Sequence, residues 1–504
     1  MLTVLNWLPL AAVLIGALMP RRVVAGPALL GALGTLGISV WLIGDYSGSE
    51  RGLQHVVDET WISQLGIHYK LGVDGLNVFL IALTALLFSA AILAASFREW
   101  ERPRAFYFWV GMAETAVLGA LLAQDLALFV AFFDLMLVPF VFLTGQWGGR
   151  DRVRATIKFV IYTLAGSLLM LTAAVATGVI ATPEGGSISF ALSDLRAHIV
   201  SSGSQDWIFL FFAAAFLVKM PAFPLHGWMP DAYRAMPIEV LTVFSGVLSK
   251  VAAYGFLRIA LPLFPDAAAK FQTLLLLIAL ASILYGSAMA YTATHARLIA
   301  GYSSVAQMGF ITLGIFALRD AGVQGALLQM VNHGLVVAPL LLIIGHLAAR
   351  AGGSEDIRDM GGIAFRAPVL ASLFLIVALG NLAMPGATNF VGEFYILLGI
   401  FQAKVVIAIV AFTGVALAAV YTLRMFIRTM HNRVGPKVAS RELAVRDELV
   451  LVPLAVAILA LSVYPQVALE RGEQSTKSSI RPAAAALEAR AHGATFAKEE
   501  HPFP

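Results

Sequence analysis

Residues 216–231 read FLVKMPAFPLHGWMPD, and they place a lysine, three prolines and a histidine directly after an apolar run. That run, WIFLFFAAAFLV, is typical of a membrane-spanning helix. Pro221 removes an amide donor and clashes with the preceding turn, so a regular helix cannot continue through it. At membrane depth a break survives only where protein covers it or water lines it. The stretch predicts a broken membrane helix, with freed backbone groups that can hold water beside Lys219.

The composition indicates a membrane protein. The chain has 504 residues, of which 59% are hydrophobic and 13% are charged, whereas a soluble domain is about half apolar and a quarter charged. The absence of cysteine excludes disulfides, thiolate metal sites and cysteine-ligated iron–sulfur clusters. Residues 1–19 lack a preceding basic region and a small-residue cleavage site, so we expect a first span there rather than a signal peptide.

Apolar segments of about 20 residues recur along the chain and predict an all-α polytopic fold. We place about fourteen spans near residues 2–20, 24–44, 73–96, 106–123, 125–146, 155–182, 207–226, 236–262, 271–293, 296–318, 322–349, 366–402 (broken), 403–427 and 447–465. The tail from about residue 466 is polar and alanine-rich, with a surface helix expected near 482–491.

The distribution of basic residues predicts the orientation. Twenty of the 34 Lys and Arg residues fall in odd-numbered loops, which marks those loops as cytoplasmic and places both termini on the other side. The even-numbered loops hold seven: Arg51, Lys70, Arg196, Arg258, Lys270, Arg319 and Lys404. Five more lie in the tail. Lys219 and Lys250 are left inside the membrane.

Ionisable residues inside the predicted spans are candidates for function, because a charge at bilayer depth costs at least a few kcal/mol. They are Glu114, Asp134, Lys219, Glu239, Lys250, His333, His346 and Glu393, with His226 and Asp231 near cytoplasmic helix ends. A structural ion pair or an end group that reaches water is the alternative for each, most of all for Glu239 and His346. Lys219, Lys250 and Glu393 lie deepest, in three different spans.

These residue types suit proton transfer. Desolvation lowers the pKa of a buried lysine and raises that of a buried carboxylate, which brings both toward neutral pH, while pairing acts in the opposite direction. Histidine titrates in that range already. A row of carboxylate, lysines, histidine and carboxylate can therefore store and pass protons, but it is poorly suited to binding a large organic substrate.

A second broken helix is predicted at residues 382–394, LAMPGATNFVGEF, where Pro385 and Gly386 interrupt an apolar span just before Glu393. The first break, with Pro221 and Pro224, lies five spans earlier and shares the dipeptide Met-Pro. Because an odd number of spans separates the two breaks, the five-helix repeats that contain them have opposite orientations in the membrane. Paired interrupted helices in inverted repeats are typical of ion pathways in transporters.

Several motifs together resemble the antiporter-like membrane-subunit family of proton-pumping NADH:quinone oxidoreductase (respiratory complex I), in particular its chain M group, the subunit 4 homologues. They are DGLN (74–77), FDLMLVPFVFLTGQWGG (133–149), VKMPAFPLHGWMPDAY (218–233), SGVLSKVAAYGFLR (245–258), ARLIAGYSSVAQMGF (296–310), QMVNHGL (329–335) and PGATNFVGEF (385–394). The resemblance covers residues 70 to 430. The motifs distinguish less well whether the chain comes from complex I, from a Mrp-type cation/proton antiporter or from a membrane-bound hydrogenase.

The resemblance implies fourteen helices in four parts. Residues 1–105 would form helices 1–3, residues 106–262 the first repeat of helices 4–8, residues 263–430 the inverted repeat of helices 9–13, and residues 431–504 helix 14 and the polar tail.

The resemblance also implies a proton relay in which the family's residues fall on Asp134, Lys219, Lys250, His333 and Glu393. His226 and Asp231 match the family's motif after helix 7.

Two departures from the family pattern change the chemistry that we expect. Asp134 stands where the family has glutamate and is shorter by one methylene, about 1.5 Å, so contact with Lys219 would need a backbone shift or a bridging water. Gln307 stands where many relatives have histidine, so a relay there would run through water. Glu114 and Glu239 are acids outside the pattern, and we expect no direct pairing of Glu239 with Lys250.

The function expected from the resemblance is proton translocation within complex I in a bacterial inner membrane, with both termini on the periplasmic side. This chain would hold no metal or redox cofactor, and NADH, FMN, iron–sulfur clusters and quinone would bind in partner subunits. Partners would include neighbouring antiporter-like chains, the lipid bilayer, water and protons, and no nucleic acid. Alternatives are a subunit of a Mrp-type antiporter, a subunit of a membrane-bound hydrogenase, and an assembly scaffold whose interior charges are ion pairs.

Overall fold

The computed structural model describes residues 1–50 and 52–499, and helices account for most of them. Arg51, which the loop count uses, lies outside the described residues. The helices are α1 (Leu2–Leu18), α2 (Ala25–Asp45), α3 (Val78–Ser96), α4 (Pro103–Leu122), α5 (Leu126–Leu135), α6 (Leu137–Trp147), α7 (Arg152–Ile180), α8 (Leu192–Ala197), α9 (Ser202–Lys219), α10 (Met229–Ala235), α11 (Ile238–Leu263), α12 (Pro265–Thr292), α13 (Ala296–Phe316), α14 (Asp320–Arg350), α15 (Pro368–Asn381), α16 (Thr388–Ala403), α17 (Val405–Met430), α18 (Val445–Val463) and α19 (Gln466–Glu499).

The prediction of an all-α polytopic membrane protein is confirmed. Among the described residues, ten helices are long and apolar enough to cross a membrane, counting α5 and α6 as one. The apolar helices α1 and α15 are shorter, and α18 and α19 form a pair bent by 70°. The count of fourteen spans, the inverted repeats and the four-part division remain predictions.

Three helices form the centre of the molecule. Along their apolar length α11, α13 and α14 are fully buried, whereas α2 and α17 bury 33% of theirs. Glycines allow close packing next to this centre: a Cβ on Gly286 of α12 would lie 2.7 Å from the backbone nitrogen of Ala306 in α13. Polar side chains on the central helices are therefore shielded from lipid on all sides.

Both predicted helix breaks are present. Helix α9 ends at Lys219, and regular helix resumes at Met229; Pro221 has a positive φ of 22°, and the Phe223–Pro224 peptide is cis. Helix α15 ends at Asn381, and α16 begins at Thr388. The first break is largely buried, whereas Met384, Pro385 and Gly386 of the second are exposed.

The span predicted at 125–146 is not one straight helix. It divides at Met136 into α5 and α6. Pro139 accounts for this division because it cannot donate to the carbonyl of residue 135 and its ring clashes with that carbonyl. The division lies two residues after Asp134.

An antiparallel β-hairpin, which was not predicted from the sequence, is formed by β1 (Gln54–Ile62) and β2 (Ile67–Val73), and a 3₁₀ turn and Gly66 join the two strands. The tail helix was placed too narrowly at 482–491, since α19 begins at residue 466. Helix α19 contacts the loop after the hairpin and the end of α11: the Ser475 hydroxyl accepts a hydrogen bond of 3.0 Å from the amide of Gly75, and the Ser479 hydroxyl donates to the carbonyl of Leu257.

Arg258 was counted as a loop residue, and this assignment is wrong. It lies within α11 and is 3% exposed. Its guanidinium pairs with Asp74 at 2.6 Å and donates to the Tyr254 hydroxyl at 2.8 Å. The Asp74 carboxylate also accepts from the amide of Leu76 at 2.9 Å. The DGLN motif therefore ties the start of α3 to the end of α11.

We expect the Asp74–Arg258 pair to be essential for stability. Asp74→Ala leaves a buried guanidinium without its counter-ion, and breaking such a pair costs about 3–5 kcal/mol. The measurement is the thermal denaturation midpoint of the detergent-solubilised membrane assembly. Asp206→Ala, which removes the exposed pair with Lys270, is the control and should cost about 0–1 kcal/mol. Equal shifts for both variants would contradict this expectation.

Candidate proton-transfer site

Lys219 is held at the division between α5 and α6. Its ammonium donates a 2.5 Å hydrogen bond to the Phe133 carbonyl and lies 3.5 Å from the centre of the Phe133 ring. Asp134 forms no ion pair with Lys219 within 4.0 Å, although their charges are close enough to interact. The Asp134 Oδ1 atom has no hydrogen-bond partner among the protein atoms. The lysine therefore binds a backbone oxygen instead of the acid.

The freed backbone groups at the first break bind protein side chains. The Trp228 indole donates to the Val218 carbonyl at 3.0 Å. The amide of Phe223 donates to the Ser282 hydroxyl at 2.9 Å. The sequence analysis expected water at these groups, but two of them have protein partners. The break is consequently held in one conformation next to Lys219.

Lys250 lies in the middle of α11, which contains two π-helical segments, Phe244–Leu248 and Phe256–Ala260. The wider π turn leaves the Ser245 carbonyl free to accept a 2.7 Å hydrogen bond from the Lys250 ammonium. A Cβ on Gly334 would lie 2.7 Å from the Gly246 carbonyl, so α14 approaches α11 closely at this level. This approach brings His333 within range of the charge of Lys250.

Glu393 is joined to two glutamines by direct hydrogen bonds. The Gln307 amide donates to Glu393 Oε1 at 2.7 Å, and the Gln329 amide donates to Gln307 Oε1 at 2.8 Å. All three side chains are buried. Gly392 has no room for a Cβ because the Gln329 side chain packs against it. Gln307 therefore binds the acid directly, and the expectation that a relay at this position runs through water remains a prediction.

Gln329 was missed by the sequence analysis, although the QMVNHGL motif contains it. It precedes His333 by four residues, a spacing that places two side chains on one face of a helix. The helical spacing was the signal that could have identified it. Lys250, His333, Gln329, Gln307 and Glu393 thus form a row of buried polar residues, in which hydrogen bonds join Gln329, Gln307 and Glu393.

The predicted relay residues fall into two groups. Asp134 and Lys219 form the first group, and the row from Lys250 to Glu393 forms the second. No hydrogen bond or ion pair joins Lys219 to Lys250. The Phe216 ring lies between α9 and α11, where a Cβ on Gly255 would meet it at 2.5 Å.

The supporting residues occupy different environments. Asp231 pairs with Lys158 at 2.9 Å. His226 is 8% exposed, and its ring centre lies 4.8 Å from that of Tyr285. Glu239 pairs with Arg98 at 3.5 Å, not with Lys250.

Glu114 and His346 lie apart from the two groups. Glu114 is fully buried in α4, and neither of its carboxylate oxygens has a hydrogen-bond partner among the protein atoms. His346, near the end of α14, lines a cavity of 260 Å³ together with Glu239, Arg98, Arg446 and Asp447.

Unpaired polar atoms are concentrated along the second group. They belong to α14 and the start of α16: Gln329 Oε1, Asn332 Oδ1, both ring nitrogens of His333, Thr388 Oγ1, the side-chain amide of Asn389 and Glu393 Oε2. Buried polar atoms are normally hydrogen-bonded to protein or to ordered water. Within the described residues, no group of three or more His, Asp or Glu side chains could hold a metal ion.

The chain matches characterised relatives over most of its length. Residues 123–418 match the model of the family described as NADH:quinone oxidoreductase/Mrp antiporter, TM. NADH-quinone oxidoreductase subunit M of Rhodobacter capsulatus is 35% identical, over 92% of this chain and 93% of the relative. The subunit M of Escherichia coli (strain K12) is 37% identical, over 86% and 87%.

Solved structures share the fold. Respiratory complex I from Thermus thermophilus with bound NADH contains a chain that matches with a TM-score of 0.87 and 30% identity, over 97% of this chain and all of that one. The Mrp complex from Dietzia sp. DQ12-45-1b matches with a TM-score of 0.81, but its 20% identity shows likeness of fold alone. The chain belongs to the antiporter-like membrane-subunit family of NADH:quinone oxidoreductase, in its subunit M group.

Proposed function

We propose that this chain is a proton-translocating membrane subunit of an NADH:quinone oxidoreductase. The observation that carries the proposal is the buried polar row from Lys250 through His333, Gln329 and Gln307 to Glu393. It runs between the central helices α11, α13 and α14, which are shielded from lipid. Ionisable groups inside a membrane protein typically mark ion or proton pathways.

The first group acts as the control point. Lys219 has two neighbours that compete for its ammonium, the Phe133 carbonyl and the more distant Asp134 carboxylate. A movement of α5 or α9 that favours one neighbour changes the affinity of the lysine for its proton. Energy from electron transfer in other subunits enters as this change of contact, and the proton then passes to Lys250.

The second group carries the proton onward through side chains and water. Glutamine cannot take up a proton and carry its charge, so Gln307 and Gln329 orient the hydrogen-bonded water molecules that transfer the proton. Leaving a buried polar atom unsatisfied costs about 1–3 kcal/mol. The unpaired atoms of α14 and α16 therefore favour internal water along the row. The proton leaves from Glu393 toward the periplasmic side.

Two surface features favour neighbouring membrane subunits as partners. Irregular backbone is not found exposed to lipid at membrane depth, yet Met384, Pro385 and Gly386 of the second break are exposed. Asp134 is only half-buried at the division between α5 and α6. Helix α5 packs on α4 and α7, whereas α16 packs on α13, α14 and α17. We infer that a different neighbour covers each of these two places.

Electron transfer takes place in partner subunits. NADH, FMN, iron–sulfur clusters and quinone bind there, since this chain has no cysteine to hold a cluster. Both termini lie on the periplasmic side. The packing of α19 on the loop after the β-hairpin and on the end of α11 supports this orientation, because it brings the tail and the predicted outer loops together at one end of the molecule.

Lys219→Ala should remove most of the proton translocation while the assembly still forms, because no other described side chain places a cation at the Phe133 carbonyl. The measurement is protons moved per electron in inverted membrane vesicles, with NADH oxidation and subunit content recorded in parallel. Lys404→Ala removes an exposed lysine and serves as the control. Full translocation by Lys219→Ala at normal assembly would refute the proposal, and coupling to sodium in place of quinone reduction would favour a Mrp-type antiporter.

Asp134→Glu should retain translocation, because the added methylene, about 1.5 Å, allows a direct pair with Lys219. Asp134→Asn keeps the shape of the side chain but removes the charge, so it should lower translocation by more than half. The same vesicle measurement checks both variants. If Asp134→Asn pumped as well as the unchanged chain, the carboxylate would have no role in controlling the lysine.

Gln307→Leu should impair translocation, because it leaves Glu393 Oε1 and the Gln329 amide without partners, at about 1–3 kcal/mol for each group. Gln307→His retains a hydrogen-bonding side chain and should preserve most of the activity. Gln272→Leu is the matched control: it removes a buried glutamine that donates to the Phe316 carbonyl at 3.0 Å outside the row. An equal loss of translocation in Gln272→Leu and Gln307→Leu would mean that instability, not the row, explains the effect.

A further inference from the structure

A cavity of 390 Å³ lies where the β-hairpin, α8, the end of α11 and α19 meet. Five basic side chains from these four elements line it: Lys70, Arg196, Arg258, Lys477 and Arg481. Two acidic residues, Glu50 and Asp74, line it as well. The cavity shares no lining residue with the polar row, although Arg258 follows Lys250 in α11, and it plays no part in proton translocation as proposed above. Its size falls within the range of about 300–1,000 Å³ that is usual for small-ligand sites.

Three of the five cations already have carboxylate partners. Arg258 pairs with Asp74 at 2.6 Å, Lys70 with Asp58 at 2.8 Å, and Lys477 with Glu473 at 2.6 Å. Arg196 and Arg481 form no ion pair with any residue in the described part of the chain. Arg196 donates one hydrogen bond of 3.2 Å to the Arg258 carbonyl. These two guanidinium groups thus lack a carboxylate within 4.0 Å, and Glu50 is the single lining carboxylate without an ion pair among the described residues, so the cations remain in excess.

Like charges gathered in a partly enclosed space repel one another, and an anion between them relieves this repulsion. Guanidinium groups bind the oxygens of a phosphate in a two-pronged arrangement, which makes arginine the usual residue for this group. Neutral side chains also line this space: Gln474 forms no hydrogen bond within the described residues and can donate, whereas the Ser193 and Ser478 hydroxyls and the Gln124 amide already donate to Asp194 and to backbone carbonyls. A phosphate with several acceptor oxygens matches this set of donors.

We propose that this cavity, here called the basic cavity, binds a phosphate group between Arg196 and Arg481. The group belongs either to the headgroup of an anionic phospholipid or to free inorganic phosphate. The basic cavity lies at the ends of membrane helices, which is the level of phospholipid headgroups in a bilayer. Its volume is large enough for a glycerophosphate group. The bound anion neutralises the cations and fastens α19 to α8 and α11.

The test uses the whole membrane assembly, purified in mild detergent and stripped of loosely bound lipid. Binding of radiolabelled inorganic phosphate is measured by equilibrium dialysis. Binding of phosphatidylglycerol and cardiolipin, with phosphatidylcholine as the zwitterionic comparison, is measured by native mass spectrometry. We expect saturable binding of at least one anionic probe. Saturation by lipid that inorganic phosphate does not displace identifies a headgroup, whereas direct phosphate binding identifies the free ion.

The double variant R196Q/R481Q should weaken that binding at least tenfold, since it removes both guanidinium groups without adding a negative charge. R319Q/R490Q removes two charges that do not line the basic cavity, and it should bind the probe normally. R481Q alone changes an exposed side chain, so it remains informative if the double variant fails to assemble, and it should show a smaller loss. Unchanged binding by R196Q/R481Q overturns the proposal. So does the absence of binding to the unchanged assembly, as expected if an acidic segment of a neighbouring subunit fills the cavity.

Discussion

Polar backbone groups at membrane depth must find partners inside the protein, and this constraint explains the arrangement around Lys219. The break at Pro221 and the division before Pro139 each disturb the helical hydrogen bonds of an apolar span. The Trp228 indole binds the freed Val218 carbonyl, and the Lys219 ammonium binds the Phe133 carbonyl. The lysine is therefore both an ionisable group and part of the hydrogen bonding that makes the irregular backbone tolerable. In our proposal, a change in its protonation therefore alters the hydrogen bond that supports the backbone at Phe133.

The second group of residues depends on close helix packing. Gly246 and Gly334 let α11 and α14 approach each other, which places His333 beside Lys250. Gly392 leaves the space that the Gln329 side chain fills. Two glutamines then span the distance from α14 to α16. The glutamine amides hold the hydrogen-bond geometry without taking up charge. In our proposal these neutral residues separate the ionisable ones, and water carries the proton past them.

The family resemblance implies glutamate at position 134, and the aspartate found there forms no ion pair with Lys219 within 4.0 Å. In this chain Lys219 contacts a carbonyl dipole, and the carboxylate acts from a greater distance. A charge at a distance in a low-dielectric interior still has a strong influence, but it does not fix the geometry of the lysine. The half-buried position of Asp134 makes that influence sensitive to whatever covers α5 in the assembly. In the proposed mechanism, a neighbouring subunit can therefore act on Lys219 through the acid without touching the lysine.

The sequence by itself determined the membrane class, both helix breaks and the identity of the ionisable residues. These depend on local properties, namely runs of apolar residues, the chemistry of proline and the rarity of charge in a span. The family resemblance added roles for Asp134, Lys219 and Glu393, which remain predictions. Tertiary structure alone decided the partners: the Phe133 carbonyl for Lys219, Gln307 for Glu393, and Asp74 for the unexpectedly buried Arg258. These three pairs lie 86 to 184 residues apart in the chain, and which residues meet depends on how helices pack, a property that no local pattern encodes.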